Sequence, residues 1–356
     1  MRKSFQIAGA FIGVIVGAGF ASGQEILQFF TSFGPISIVG SLFATALFAF
    51  LGMNLTQLGS RLQTKSHQNV IYHICGRYLG LIVDIVITFF LFGVTVVMFS
   101  GAGAIFEQQF GIPSFIGSIL MAVVTILKVT LSVQKVIAFI SAFTPFLLLL
   151  VIVITVYSVI HFDFSSADLT GAVAAQNRGA SHWFLGAILY VSYNLAAGAA
   201  MLTVMGGTIK DEKVAAWGGI IGGLGLGLLI LLINISMLTQ LKEIASLPMP
   251  MLFLANNINP TIGIIMAIIL LGMIYNTAVG MLYAFSARIV KTETVRFKGA
   301  VTLFGIVAFG ASFIGFIQLV GTVYPVMGYL GFTLIAAVIF AWVKNKRTPS
   351  KVEAIN

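Results

Sequence analysis

The run Val16-Gly17-Ala18-Gly19-Phe20-Ala21-Ser22-Gly23-Gln24-Glu25 interrupts an apolar stretch that begins at Phe5 and resumes at Ile26. Each glycine weakens a helix by about 1 kcal/mol relative to alanine. A charge at bilayer depth costs about 3 kcal/mol or more. Helices broken at that depth are tolerated where the freed backbone groups are buried in protein or line a wet cavity. The run therefore predicts a first membrane span that is broken near the midplane and borders a binding site.

The membrane reading follows from composition. Of 356 residues, 59% are hydrophobic and 8% are charged, against about 25% charged in soluble domains. The chain is read as one membrane domain over residues 1–356, all-α, with no aqueous domain. The lone Cys75 excludes an internal disulfide and a multi-cysteine metal site. Met1-Arg2-Lys3 followed by apolar residues invites a cleaved signal peptide ending at Ala21-Ser22-Gly23. Nine further apolar segments make a retained span the more economical reading.

Spans of about 20 residues are expected near 5–31, 35–59, 79–105, 114–133, 136–160, 182–207, 214–239, 261–288, 299–318 and 320–343. Placing the N-terminus in the cytoplasm puts all 19 Lys and Arg except Arg178 and Lys242 on cytoplasmic segments, as the positive-inside rule requires. The net charge of +9 then reflects topology and anionic membrane lipid, and no nucleic-acid partner is implied. A multi-pass protein of the cell membrane with both termini cytoplasmic is expected. Two longer connections, 61–78 and 240–260, carry short amphipathic runs (Asn69–Cys75 and Met249–Asn257) and are expected to form interfacial helices, the first cytoplasmic and the second external. Each follows the second span of a five-span half.

That match predicts an internal repeat of residues 5–160 and 182–343, inverted because five is odd. The first span of the second half should then also be broken. It reads Tyr190-Val191-Ser192-Tyr193-Asn194-Leu195-Ala196-Ala197-Gly198, a polar-then-small interruption in mid-span.

With these features the chain resembles the amino acid–polyamine–organocation superfamily, whose five-plus-five inverted repeat is typified by the leucine transporter. Gly13, Val16, Gly17 and Gly19 form a G-x-x-V-G-x-G pattern similar to that of the sodium-coupled neurotransmitter symporters. Gly-Ala-Gly-Phe-Ala-Ser-Gly-Gln-Glu (17–25) looks most like the bacterial YkvI-type membrane proteins. The resemblance implies a sodium ion held by the carbonyls of Gly13 and Val16, with Asn276 and Thr277 on span 8 as the counterpart of hydroxyl ligands. It also implies a substrate carboxylate at the amides of Gly17 and Gly19, with Ala18 and Phe20 in the same stretch. Val14 and Phe20 stand where that family has asparagines, which removes the ligands of a second sodium site. Span 5 lacks the lysine that replaces sodium in some proton-coupled relatives.

Glu25 could be a proton-coupling carboxylate, a partner for a cationic substrate group or a gate, against the plainer alternative of a wet helix end. The cost of intramembrane charge favours a function. Asp84 could line the inner exit path or pair with a cytoplasmic cation, and the sequence leaves both open. Ser192, Tyr193 and Asn194 are candidate site residues, the alternative being interhelical hydrogen bonds of about 1 kcal/mol or less. Ser141 and Thr144 suit a proline kink at Pro145. His67, His73, His161 and His182 lie in loops or at interfaces without metal-ligand spacing.

A phosphate-binding loop and a nucleophile elbow are both missing, so an enzyme is not expected and neither is a resident cofactor. The expectation is a secondary transporter coupled to Na+ or H+, taking a small organic solute such as an amino acid or similar zwitterion. The rival is a small-molecule receptor of the same fold, like the membrane subunits of spore germinant receptors.

Overall fold

The computed structural model describes residues 2–63, 67–131, 137–161, 177–292 and 294–347. Among them the chain is helical nearly throughout. The first expected span is three pieces, α1 (Arg2–Ile15), α2 (Ala18–Ser22) and α3 (Gln24–Phe29). It is followed by α4 (Ser37–Leu62), α5 (His67–Phe110), α6 (Ser114–Leu131) and α7 (Ile137–Ile160). The second half contains α8 (Trp183–Gly207), α9 (Glu212–Leu238), the short α10 (Leu241–Ile244) and α11 (Pro250–Ile258), then α12 (Pro260–Ile289), α13 (Val295–Ala311) and α14 (Phe316–Arg347). Each of the ten expected segments is helical over most of its described residues. Seven described stretches, with mean hydropathies of 1.2 to 2.3, are long and apolar enough to cross a membrane, and bent α8 makes an eighth.

Small residues set the packing. α1 buries Ser4, Ile7, Ala8, Phe11 and Ile15, a helical stripe, against the glycine face of α9. A β-carbon at Gly218 would lie 2.7 Å from Ile7 Cβ, and one at Gly222 would lie 2.6 Å from Phe11 Cδ1. α9 meets α4 backbone to backbone, since side chains at Gly219 or Gly223 would strike Gly52 or Phe48–Ala49. α4 meets α8 in the same way through Gly59 and Gly206. In lipid, where apolar burial between helices gains little, close approach and interhelical hydrogen bonds supply the association. Asn234 Nδ2 on α9 donates to Ser37 Oγ (2.9 Å) and Ser41 Oγ (3.2 Å) on α4, all three buried. Around this bundle of α1, α4, α8 and α9, α5 packs on α6, α12 and α14.

Three expectations need correction. Residues 69–75 do not form a separate interfacial helix: they belong to the first turns of the continuous α5. No proline interrupts that stretch, and isolated Gly76 and Gly80 cost too little to stop a helix of 44 residues. The turn between the last two spans lies at Ser312–Gly315 rather than near Gln318, because Gly315 adopts φ 100°, a conformation that favours glycine. The span carrying Ser192–Asn194 is broken as expected, but by a 51° bend at residue 200 rather than within the polar run. Asn194 Nδ2 donates to the carbonyl of Tyr190 four residues back (3.0 Å), so the polar run stays inside the helix and the bend falls beyond it. The expected helix in 240–260 is present as α11. The side chains of Asp84, Cys75, Ser141 and Thr144 lie outside the described residues.

Candidate functional site

The break in the first span begins where α1 ends. The Gly17 N–H bonds the Ile15 carbonyl (2.7 Å) rather than the carbonyl four residues back, which releases the Gly13 carbonyl from the helical ladder. Gly17 is extended (φ −97°, ψ −172°) and starts α2. Gly23, at φ 83°, ends α2 and starts α3. α2 has five residues, so its dipole is slight compared with that of a full half-helix. The extended Gly17 and the left-handed Gly23 together bring Glu25, in the first turn of α3, back over Gly19: a β-carbon on Gly19 would coincide with Glu25 Oε1.

Glu25 is buried, with 5% of its surface exposed. Tyr193 OH on α8 donates to its Oε2 at 2.6 Å. Tyr324 on α14 stacks on Tyr193 with ring centroids 4.9 Å apart and planes 13° apart, and its hydroxyl faces the same carboxylate. Phe29 and Tyr190 pack tilted and edge-on around Tyr193, and Phe30 adds to Tyr190 at 5.0 Å. Burying an uncompensated carboxylate is expensive, and this phenol pair is the compensation present among the described residues.

A cavity of about 740 Å³ ends on this cluster. Its deep end is Gly17, Gly19, Glu25, Tyr193, Asn194 and Tyr324, beside Gly13, Val16, Asn276 and Thr277. Its flanks are apolar, including Phe90, Val94, Met98, Leu148 and Met273. Its mouth, at Gly9, Met201 and Gly280, is exposed and lies toward the N-terminal end of α1. The opposite side is sealed. Met251 of α11 and Met237 of α9 close over Gly23, at 2.8 and 3.1 Å from where its β-carbon would be. The α11 segment is in turn clamped to the end of α5. Gln108 Nε2 donates to the Met249 carbonyl (2.9 Å), and the Met249 N–H donates to Gln108 Oε1 (3.0 Å).

Of the twelve residues singled out in the sequence, nine line this one cavity: Gly13, Val16, Gly17, Gly19, Glu25, Tyr193, Asn194, Asn276 and Thr277. Phe20 and Ser192 do not. Phe20 is 1% exposed and packs into the core. Ser192 Oγ donates to the Gly328 carbonyl of α14 (2.7 Å), which makes it a helix-packing residue. The side chain of Ala18 lies outside the described residues, and its backbone opens α2. Tyr324 is not among the sequence candidates. A tyrosine before Pro325 in mid-span is the only local signal for it.

The deep end also holds acceptors with no partner among the described residues. Asn276 Oδ1 is buried without a hydrogen-bond partner, and it shares the cavity with the released Gly13 carbonyl, Val16 and Thr277. Uncharged oxygens of this kind suit a hard monovalent cation.

No family model matches the chain. It is 29% identical over 343 residues, 96% of its own length and 97% of the other's, to the uncharacterized membrane protein YkvI of Bacillus subtilis strain 168. The inward-facing conformation of Mhp1 superposes with a TM-score of 0.69 at 13% identity, covering 98% of this chain and 78% of that one. MhsT in complex with L-phenylalanine superposes with a TM-score of 0.62 at 16% identity, covering 96% and 89%. The chain has the leucine-transporter fold and is a relative of YkvI. It is a multi-pass membrane protein.

Proposed function

We propose that this chain is a cation-coupled secondary transporter that moves a small organic solute bearing an amino group, whether an amino acid, a similar zwitterion or an amine, by alternating access. The observation that carries the reading is the convergence of the broken first span, Glu25 and the orphaned oxygens at Gly13 and Asn276 on one cavity that is open at one end and sealed at the other. A cavity closed by α11 on one side and open on the other is one half of an alternating-access cycle. With the N-terminus cytoplasmic, as the Lys and Arg distribution supports, this is the inward-open half.

The coupling cation is assigned to the Gly13 carbonyl, the Val16 carbonyl, Asn276 and Thr277, with Na+ as the ion and H+ as its competitor in the test. The solute is assigned to Glu25, Tyr193, Asn194 and the backbone at Gly17 and Gly19. The proposed architecture over residues 5–160 and 182–343 is an inverted pair, which places α1–α3 and α8 as symmetry mates.

Proteoliposomes containing the purified chain test this. Accumulation of a labelled solute driven by an imposed Na+ gradient is expected, and a proton gradient alone should not replace it. A chain that binds solute with no gradient-driven or exchange flux would instead behave as a receptor.

A further inference from the structure

The backbone at Gly19 is covered by the chain's own carboxylate. Glu25 Oε1 occupies the volume beside Gly19 that any side chain there would need, and Oε2 is held by the Tyr193 hydroxyl at 2.6 Å. A second carboxylate brought to the Gly17–Gly19 backbone would meet Glu25 at contact distance in a poorly screened setting, where like charges repel strongly. None of the described residues lining the cavity is Lys, Arg or His, so no side-chain cation among them is available to offset the pair. α2, with five residues, adds little helix dipole.

What the cavity offers is acceptors. Glu25 is the one carboxylate among the described lining residues, and Asn194 adds a side-chain carbonyl at the same end. An ammonium group brings three N–H donors and no acceptor, and it neutralises the buried carboxylate as it enters. Beyond the polar end the walls are Phe90, Val94, Met98, Leu148 and Met273, which suit a hydrocarbon body and offer nothing to an acid group.

We infer that the cargo of this site is a small primary amine with an apolar body and no carboxylate, recognised by Glu25. The inference rests on the transporter reading for the claim that the bound molecule is moved.

The test uses three probes that share one body, 2-phenylethylamine, L-phenylalanine and 3-phenylpropionate, with the purified full chain. Binding is read by thermal stabilisation and competition. The amine is expected to bind at least tenfold more tightly than the amino acid, and the acid not at all. Glu25→Gln should remove the amine's advantage. The wild-type ranking stands by itself if that variant does not fold. Phenylalanine binding as tightly as the amine, or an amine no better than the alcohol 2-phenylethanol, overturns the inference.

Counterflow in proteoliposomes separates the two claims. Exchange of phenylalanine but not the amine would leave the transporter reading intact and overturn the substrate class. Tight amine binding without counterflow of any probe would support the class and overturn transport.

Discussion

Glu25 lies folded over Gly19, its Oε1 in the volume that a β-carbon at position 19 would require. The contact joins the two features that interrupt the first span, the glycine pair and the charge, into one unit. Gly17 differs: a β-carbon there would meet nothing closer than the Ile15 carbonyl at 3.9 Å. Gly19→Ala should therefore push the carboxylate off its site and lower solute affinity tenfold or more, while Gly17→Ala stays within a few-fold of the parent. Equilibrium binding to the two purified variants, both checked for folding by size-exclusion chromatography, measures the contrast. Equal effects at the two positions would remove the fold-back of Glu25 from the binding mechanism.

The Tyr193 hydroxyl supplies a hydrogen bond of 2.6 Å to Glu25. Bonds to a charged group contribute about 1.5–3 kcal/mol. Tyr193→Phe keeps the stack on Tyr324 and removes that bond, so its loss should show as altered solute affinity more than as lost packing. Tyr324→Phe should act in the same direction and less than additively with it, because the two phenols face one carboxylate. A double-mutant cycle on solute affinity gives the coupling, and strict additivity would mean that the phenols act independently of Glu25.

The parts of this site that are legible in the sequence are those whose chemistry is local. A glycine pair and a carboxylate within an apolar run predict a break whatever surrounds them, and the break sits at Gly17. Asn276-Thr277 stands out for the same reason, as polar residues in mid-span. What the sequence does not disclose is rotation and partnership. Ser192 and Tyr193 are neighbours, but a turn of about 100° per residue sends the first to the Gly328 carbonyl and the second to Glu25. Phe20 sits one residue from Gly19 and faces the core. Tyr324 comes from the last helix, and its role depends on a stack no local pattern encodes. The bend in α8 has the same origin. Asn194 completes its own helix, so the polar run does not break the span, and the small residues that follow let it turn.

The cation assignment makes a separate prediction. Thr277→Ala removes one hydroxyl while leaving the Gly13 and Val16 carbonyls in place. The Na+ concentration that half-saturates uptake should rise several-fold, with the ranking of solutes unchanged. Asn276→Ala should do the same. Uptake by the parent protein that is indifferent to Na+ at every concentration would sink the assignment and leave the proton as coupling ion.

Alternating access predicts that accessibility changes sides. Cys75 is the chain's one cysteine, so Cys75→Ser provides a background without thiols. Gly280 lies at the cavity mouth, and a β-carbon there would meet no atom within 4 Å, so Gly280→Cys should be tolerated and exposed. Gln28, 1% exposed on the sealed side, donates to the Ile317 carbonyl at 2.9 Å. A membrane-impermeant thiol reagent should modify Gly280→Cys in inside-out vesicles and spare it in right-side-out ones. Gln28→Cys should be protected in the state seen here. It should become reactive from the external face when α11 lifts, a shift that saturating Na+ without solute is expected to favour. Labelling of Gly280→Cys from the external face alone would invert the topology. A Gln28→Cys thiol that never reacts, with Na+ or solute present or absent, would argue that the seal under α11 is permanent and that the cavity serves binding without passage.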